Sequence, residues 1–318
     1  MEWRQALFHD PEAIEDMNEV THPLKCAVMI TTHNRLTDLR HTCSQLRNLD
    51  PAPDEWLFTA DGCTDGTSSW LEDEFPGARL FVNSACNGSV NSRHGMLLAT
   101  TCDLVLALDD DSYPLEPDAI TRLRTFHQDN PEVAVSTFPQ RSEEYRDSLD
   151  AVEFAALGET SSFPNSGACF RSAVYRKLEG FPGFFFHAFE EPDYALQCQH
   201  AGFKVVHTAV ITIRHHFTSA GRNEIRTHQR HARNECWSVI MRCPFPQMPL
   251  VLIYKAGSQL IYAIRRGPAW IVREPIWWLR ALQGGSTALR HRKPVSWKSY
   301  RRWLLLMSPL TKSAQTGE

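Results

Sequence analysis

Three consecutive aspartates, Asp109-Asp110-Asp111, close the apolar run DLVLALDDD. Adjacent carboxylates repel unless a cation offsets them, and a hard divalent ion that also bridges phosphate oxygens is the usual solution. A second group, Thr31-Thr32-His33-Asn34-Arg35, ends another apolar run just before a helical pattern. Hydroxyls, an amide and free helix N-terminal amides at such a place can hold a nucleotide, although Thr and Asn serve equally as plain N-caps. A third, Ala60-Asp61-Gly62-Cys63-Thr64-Asp65-Gly66-Thr67, offers two glycines for close backbone approach and Asp61 as an acceptor for a base or ribose. A fourth, Asn87-Gly88-Ser89 with Arg93 and Gly95, carries an arginine suited to neutralising a diphosphate. Two further groups lie downstream. Glu190-Glu191-Pro192-Asp193 opens a helical pattern with acids, where negative charge is favourable at the helix N-terminus. His215-His216 offers imidazole, which ligates metals when neutral. His228 and His231 lack Cys or carboxylate partners at ligand spacing and read as part of a basic surface helix.

The elements that must position these groups alternate. CAVMIT (26–31), EWLFTA (55–60), ARLFVN (78–83) and DLVLALDDD (103–111) read as strands, and the first is a continuous apolar run of the kind buried in a parallel sheet. Between them, LTDLRHTCSQLRNL (36–49), SSWLEDEF and SRHGMLLAT (92–100) have helical patterns. Four alternations within about 100 residues imply an α/β fold with a doubly wound, mostly parallel sheet, whose ligands bind beyond the carboxyl ends of the strands. The candidate groups sit at those ends. Further on, 138–166 reads as a long excursion with one helix near 146–157. SGACFRSAVYRKLEG (166–180) reads as a strand leading into a helix, EEPDYALQCQHAG (190–202) as a helix, and FKVVHTAVITIRHH (203–216) as extended chain. The aromatic run Phe184-Phe185-Phe186 with His187 is either an acceptor platform or packing under a loop.

The 318 residues, 42% hydrophobic and 22% charged, exclude disorder, collagen and coiled coil. Nine cysteines without a C-x-x-C pair argue against a disulfide framework and a zinc ribbon, and imply a reducing compartment. The acidic start MEWRQALFHDPEAIED lacks the basic and apolar regions of a signal peptide, so none is expected. The net charge of -4 hides a division: residues 1–249 carry 21 Lys and Arg against 35 Asp and Glu, whereas residues 250–318 carry 12 against 2. The second part also holds five of the nine tryptophans. Basic residues among indoles suit an anionic membrane surface or nucleic acid, and the acidic first part opposes nucleic acid. PFPQMPLVLIYKAGSQLIYAI (244–264) falls short of a clean spanning run, so helices lying in the membrane interface are expected, with a helical cap packed on the first domain as the alternative. The expected organisation is an N-terminal extension (1–24), a domain at 25–245 divided near residue 111, and a helical, amphipathic membrane-associating region at 246–318.

Taken in order, V-M-I-T-T-H-N-R, A-D-G-C-T-D-G-T, N-G-S-V-N-S-R-H-G and L-D-D-D resemble the family 2 glycosyltransferases, inverting enzymes of the GT-A fold that use nucleotide-diphosphate sugars. The resemblance covers roughly residues 25–245. It implies Mn²⁺ or Mg²⁺ as cofactor, Asp111 as direct metal ligand, Asp109 nearer the ribose, and His215 or His216 completing the metal shell. It further implies donor contacts by Thr31, Thr32, Asn34, Arg35, Asp61, Arg93 and Asp110. Ser166-Gly167-Ala168 and Phe170-Arg171 resemble the segment lining the acceptor and donor sugar, so Gly167 and Ala168 join His187 as acceptor candidates. Glu190-Glu191-Pro192-Asp193 is similar to the family's E-D-x-D motif, which puts Glu191 at the general base and Glu190 and Asp193 beside it. The sequence departs from the pattern at Ala60, where an acid that often reads the nucleobase is expected, at His94 in place of Asn, and at Glu191 in place of Asp. Uracil, thymine and guanine therefore all stay open, and the longer base sets the acceptor hydroxyl back by roughly one methylene. The expected function is transfer of a sugar from a nucleotide-diphosphate donor to a hydroxyl of a glycan or lipid-linked acceptor in cell-surface polysaccharide or glycolipid synthesis. The expected place is the cytoplasmic side of the cell membrane. The alternatives are a catalytically degenerate membrane-surface binding protein of the same fold, and a nucleotidyltransferase, for which no basic glycine-rich loop follows the first strand.

Overall fold

A computed structural model describes residues 23–144, 146–149, 158–216 and 223–307. The N-terminal extension up to residue 22, and most of the helix expected near 146–157, lie outside the described residues; within the latter, Arg146–Ser148 form a single 3₁₀ turn.

The chain opens as the alternation requires: β1 (Cys26–Thr32), α1 (Leu36–Leu46), β2 (Glu55–Asp61), α2 (Thr67–Glu74), β3 (Arg79–Asn83), α3 (Ser89–Ala99) and β4 (Leu104–Asp109). The second half adds β5 (Ser112–Pro114), α4 (Ala119–Asp129), β6 (Val133–Thr137), β7 (Gln140–Ser142), β8 (Ala168–Arg171), α5 (Ser172–Lys177), α6 (Glu190–His200), β9 (Lys204–His207) and β10 (Ile213–His215). Seven strands form the central sheet in the order β3-β2-β1-β4-β8-β6-β9. All neighbours are parallel except β8, which runs antiparallel to both β4 and β6. The chain expected as one extended stretch at 203–216 is two strands, because β10 leaves the central sheet for a small one, β5-β10-β7. That small sheet stands where the aspartate triplet turns out of β4.

Both faces of the sheet are covered, and alternation along each strand divides its side chains between two cores. On β1, Ala27 and Met29 join a cluster with Val90, Met96, Tyr175 and Tyr194, while Cys26, Val28 and Ile30 join one with Leu39, Leu46, Ile120 and Leu123. Burying a Leu or Ile side chain stabilises by roughly 1.5–3 kcal/mol, so the pattern fixes the register that delivers Thr31, Asp61 and Asp109 to one edge. Thr31 pairs with Thr59 on one side and Asp109 on the other.

The C-terminal third is helical: α7 (Glu224–Arg242), α8 (Met248–Arg266), α9 (Pro268–Ile271), α10 (Glu274–Arg290) and α11 (Trp297–Leu306). The basic surface helix expected around His228 is corrected by the structure. His228 is buried, 2.8 Å from Glu274, and α7 packs between the sheet domain and α10 with Asn234, Trp237 and Ser238 buried. A pattern rich in Arg and His hid the buried stripe because long cationic side chains reach solvent from its flanks. No helix among the described residues is long and apolar enough to cross a membrane.

Candidate active site

The aspartates at the end of β4 divide their work. Asp109 remains about one-third exposed, whereas the Asp111 side chain is almost wholly covered. β10 pairs with β5 so that His215 lies opposite Ser112, and this brings one ligand atom each of Asp109, Asp111 and His215 within 4.8 Å of one another. Strand alternation sends His216 to the other face, where its Nε2 lies 3.0 Å from the Tyr113 hydroxyl. Gln140 on β7 donates its amide to Ser166 at 2.9 Å and turns its carbonyl oxygen to His215 Nδ1 at 3.2 Å. That network assigns the proton to Nδ1 and aims the Nε2 lone pair at Asp111 Oδ1, 3.3 Å away. Two facing acceptors call for a cation or a protonated ring. Two carboxylates and an imidazole match the donor preferences of Mn²⁺ and, less fully, Mg²⁺, so the group could hold either ion.

Arg35 braces the triplet from the α1 side, with Nη1 2.7 Å from Asp110 and Nη2 2.9 Å from Asp111. Burial works against the Asp111 charge, but His215 and Arg35 outweigh it and hold that carboxyl below the usual range. Asp110 is different. Burial pushes it up to about 7 in spite of Arg35, and Thr32 donates to it at 2.8 Å. Asp110 and Arg35, expected at the donor, thus hold the turn that presents Asp109 and Asp111.

The other donor candidates order the loops around that edge. Asn34, at φ 53°, accepts from the Thr64 amide at 2.7 Å, and His33 Nδ1 lies 2.6 Å from the Asp61 carbonyl, so the loops after β1 and β2 are tied together. The buried Asp61 carboxylate accepts from Asn83 Nδ2 and from the amides of Asn87 and Gly88 at 2.8–2.9 Å. Burial opposes its charge, and those donors hold it below the usual range. Thr31 stays on β1, nearly buried beside Asp109.

Arg93 links the two acidic groups. Buried on α3, it pairs with Asp109 through Nη2 and stands 3.7 Å from Glu190 through Nη1. Glu190 and Glu191 open α6 and share Asn165 Nδ2, at 3.2 and 2.8 Å. Burial raises both carboxyls, Glu191 well above the usual range because the Glu190 charge adds to it; Arg93 tempers both. A carboxyl raised in this way is a competent proton acceptor near neutral pH. Asp193 does not join them. It is fully buried and accepts from Ser238 Oγ at 2.7 Å and Arg242 Nη2 at 3.0 Å, fastening α6 to α7.

The acceptor-side candidates separate. Gly167 and Ala168 are buried, and a Cβ on Gly167 would come 2.7 Å from Ile213 Cγ1, so the glycine lets β10 approach. Arg171 is buried and donates to the carbonyls of His127, Asn130 and Val133, a structural role. His187 is exposed, with Nδ1 3.2 Å from Ser89 Oγ. The loop around it is strained: Phe186, Ala188 and Phe189 all take φ between 67° and 74°. Such residues cost on the order of 1–3 kcal/mol each and persist where their surroundings hold them. Asn234 is the clamp, its Nδ2 reaching the carbonyls of Phe185, His187 and Ala188 at 2.7–3.2 Å. Of the aromatic run, Phe185 is buried in the core and Phe184 packs on Trp237, so packing accounts for both.

Asn165, Gln140 and Asn234 were not legible as site residues. Each is a lone amide whose role depends on long-range packing.

Residues 22–234 match the model of the family described as glycosyltransferase-like family 2. The chain belongs to that family. As a member it is a glycosyltransferase, and its sheet, with the aspartates at the end of β4, is of GT-A type. Three solved structures share the fold. GalNAc-T7 with UDP, GalNAc and Mn²⁺ is 10% identical, TM-score 0.57, over 71% of this chain and 49% of its own. The mannosyltransferase PcManGT from Pyrobaculum calidifontis, in complex with GDP-Man and Mn²⁺, is 17% identical, TM-score 0.54, over 96% and 94%. S. aureus TarS is 15% identical, TM-score 0.51, over 84% and 54%. The chain thus spans about half the length of the first and third, and nearly all of the second. No curated protein matches it in sequence.

Proposed function

We propose that the protein is a metal-dependent, inverting glycosyltransferase that moves a sugar from a nucleoside-diphosphate donor to a hydroxyl of a membrane-associated glycan or lipid-linked acceptor. The single observation that carries this reading is the bridge by Arg93 between Asp109, in the Asp109-Asp111-His215 group, and Glu190, beside Glu191. One arginine couples a cation site with a raised carboxyl pair across a single cleft edge. GalNAc-T7 and PcManGT were solved with nucleotides and Mn²⁺, which supports assigning Mn²⁺ or Mg²⁺ to Asp109, Asp111 and His215. When bound, that ion would offset charge on the leaving diphosphate.

The chain's own residues do the rest. Glu191 takes the proton of the acceptor hydroxyl as its oxygen forms the new bond to the anomeric carbon, and the bond from that carbon to the diphosphate oxygen breaks. Asn165 orients Glu191, and the shared burial with Glu190 keeps the base receptive. Arg93 holds Asp109 and steadies the negative charge between the two halves.

The C-terminal helices support the membrane part of the reading. Leu250, Ile253, Val272, Leu279 and Leu282 are 60–78% exposed, and Arg265, Arg273, Arg280, Lys298 and Arg301 meet no carboxylate among the described residues. Apolar faces edged by unpaired cations fit the headgroup boundary of an anionic bilayer, and the cytoplasmic leaflet is the anionic one. Two experiments test the reading. Proton NMR of the product should show inverted anomeric configuration, and retention would remove Glu191 as a base. Flotation should recover the protein with phosphatidylglycerol vesicles and not with phosphatidylcholine; equal or absent recovery would remove the membrane.

A further inference from the structure

Four arginines converge beside the strained loop. Arg226, Arg230 and Arg233 recur at i, i+4 and i+7 along one face of α7, and Arg280 comes from α10, packed against that helix. None of the four meets a carboxylate among the described residues. Arg233 donates to the Phe185 carbonyl at 2.9 Å and lies 4.4 Å over Trp237, and Arg230 lies 4.8 Å over Phe186. They are close enough to disfavour one another's charge. Burial first, then Arg226 and Arg280, lower Arg230, and burial with Arg230 and Arg280 brings Arg233 down to about 10. An anion shared among the guanidiniums would relieve that repulsion.

The placement says which anion. Arg230 lies over the Phe186 ring, and the Phe186 carbonyl receives the Val90 amide at 3.4 Å, so that end of the cluster borders both the loop that leads into Glu190 and the helix that holds Arg93. On its other side Arg280 is flanked by exposed Trp278, Leu279 and Leu282. A ligand held here has its charged group beside the reaction centre and its apolar part over the membrane-facing helices. We propose that Arg226, Arg230, Arg233 and Arg280 form a phosphate-binding site for a lipid-linked acceptor, one whose apolar chain lies along α10 and whose phosphate or diphosphate is clamped next to Glu191. This rests on the transfer reading and narrows its acceptor.

The test is equilibrium dialysis of the full-length protein in neutral detergent with farnesyl phosphate and, in parallel, farnesol. Farnesyl phosphate should bind at least about tenfold more tightly, a difference that two charge-assisted contacts supply. Arg230→Ala/Arg280→Ala should erase the difference, Arg280→Lys should keep part of it, and Arg122→Ala, an exposed cation on α4, should leave it intact. Equal binding of the two probes, or a difference that survives in the double variant, overturns the site. So does a wild type that ignores farnesyl phosphate while Arg230→Ala/Arg280→Ala abolishes flotation with phosphatidylglycerol vesicles, because the cluster then reads bulk headgroups. UDP, dTDP and GDP binding by the wild type in Mn²⁺ separates the two readings. Lost probe discrimination with a nucleotide still bound refutes this site alone, and kept discrimination without nucleotide binding supports the site while refuting transfer.

Discussion

The sheet domain and the C-terminal helices solve opposite problems. In the first, charges are taken inside and paired: Asp61, Arg93, Asp110, Asp111, Glu190 and Asp193 are all buried, each with named partners. In the second, apolar side chains are left outside: among the described residues, sixteen of the nineteen large exposed hydrophobics, from Phe245 to Leu305, fall there. Buried charge is expensive and survives where it positions chemistry, and exposed apolar surface is retained where something else covers it. The two regions meet on α7, whose inner face clamps the loop before Glu190 and whose flank carries the arginines. One helix reports to both.

Breaking the first half of the comparison should give the largest effects. Asp111→Ala removes a carboxylate from the cation site and should lower donor turnover by about 10³-fold or more, read as nucleoside-diphosphate release. Glu191→Gln should lower transfer by about 10²- to 10⁴-fold while binding of the nucleoside diphosphate persists, read by calorimetry beside the rate assay. The pH profile sharpens the same point. A base at Glu191 would work deprotonated, and burial raises that carboxyl, so kcat/KM should climb with pH through a range above that of an ordinary carboxylate and fall off on the acid side. An acid limb near the ordinary glutamate value of about 4.3 would contradict the burial of the pair.

The second half breaks at the surface. Leu279→Glu/Leu282→Glu should weaken flotation with phosphatidylglycerol vesicles by about 10²-fold or more, from two apolar side chains worth roughly 1.5–3 kcal/mol each, with no fall in Tm because both are exposed. The smallest effect lies between site and scaffold. Gly167→Ala drives a methyl against Ile213 and should cost about 1–3 kcal/mol in denaturant unfolding.

The parallel, doubly wound arrangement of the first half was legible because β1, β2 and β4 are mostly buried runs, and a chemical group ends each of them. His215 and His216 could not be told apart in sequence, since only the pairing of β10 with β5 decides which imidazole faces Asp111. Asp193 read as catalytic because it shares a motif with Glu191, yet two residues along a helix turn a side chain by about 200°, toward α7. The amides of Asn165, Gln140 and Asn234 act across 25 or more residues of sequence and leave no local pattern. The tail's charge and indoles marked it as a distinct surface, but its packing through Trp237 and Trp277 onto α7 came only with the fold.

One measurement bears most directly on the central claim, that the Asp109-Asp111-His215 group and the Glu190-Glu191 pair serve one transfer reaction. A panel of nucleotide-sugars with Mn²⁺ or Mg²⁺ and membrane lipid extract as acceptor is scored for nucleoside-diphosphate release in the wild type, Asp111→Ala and Glu191→Gln. Release from one donor, lost with the metal chelated and in both variants, is the expected result. Undiminished release in Asp111→Ala, or none from any donor in the wild type, would contradict it.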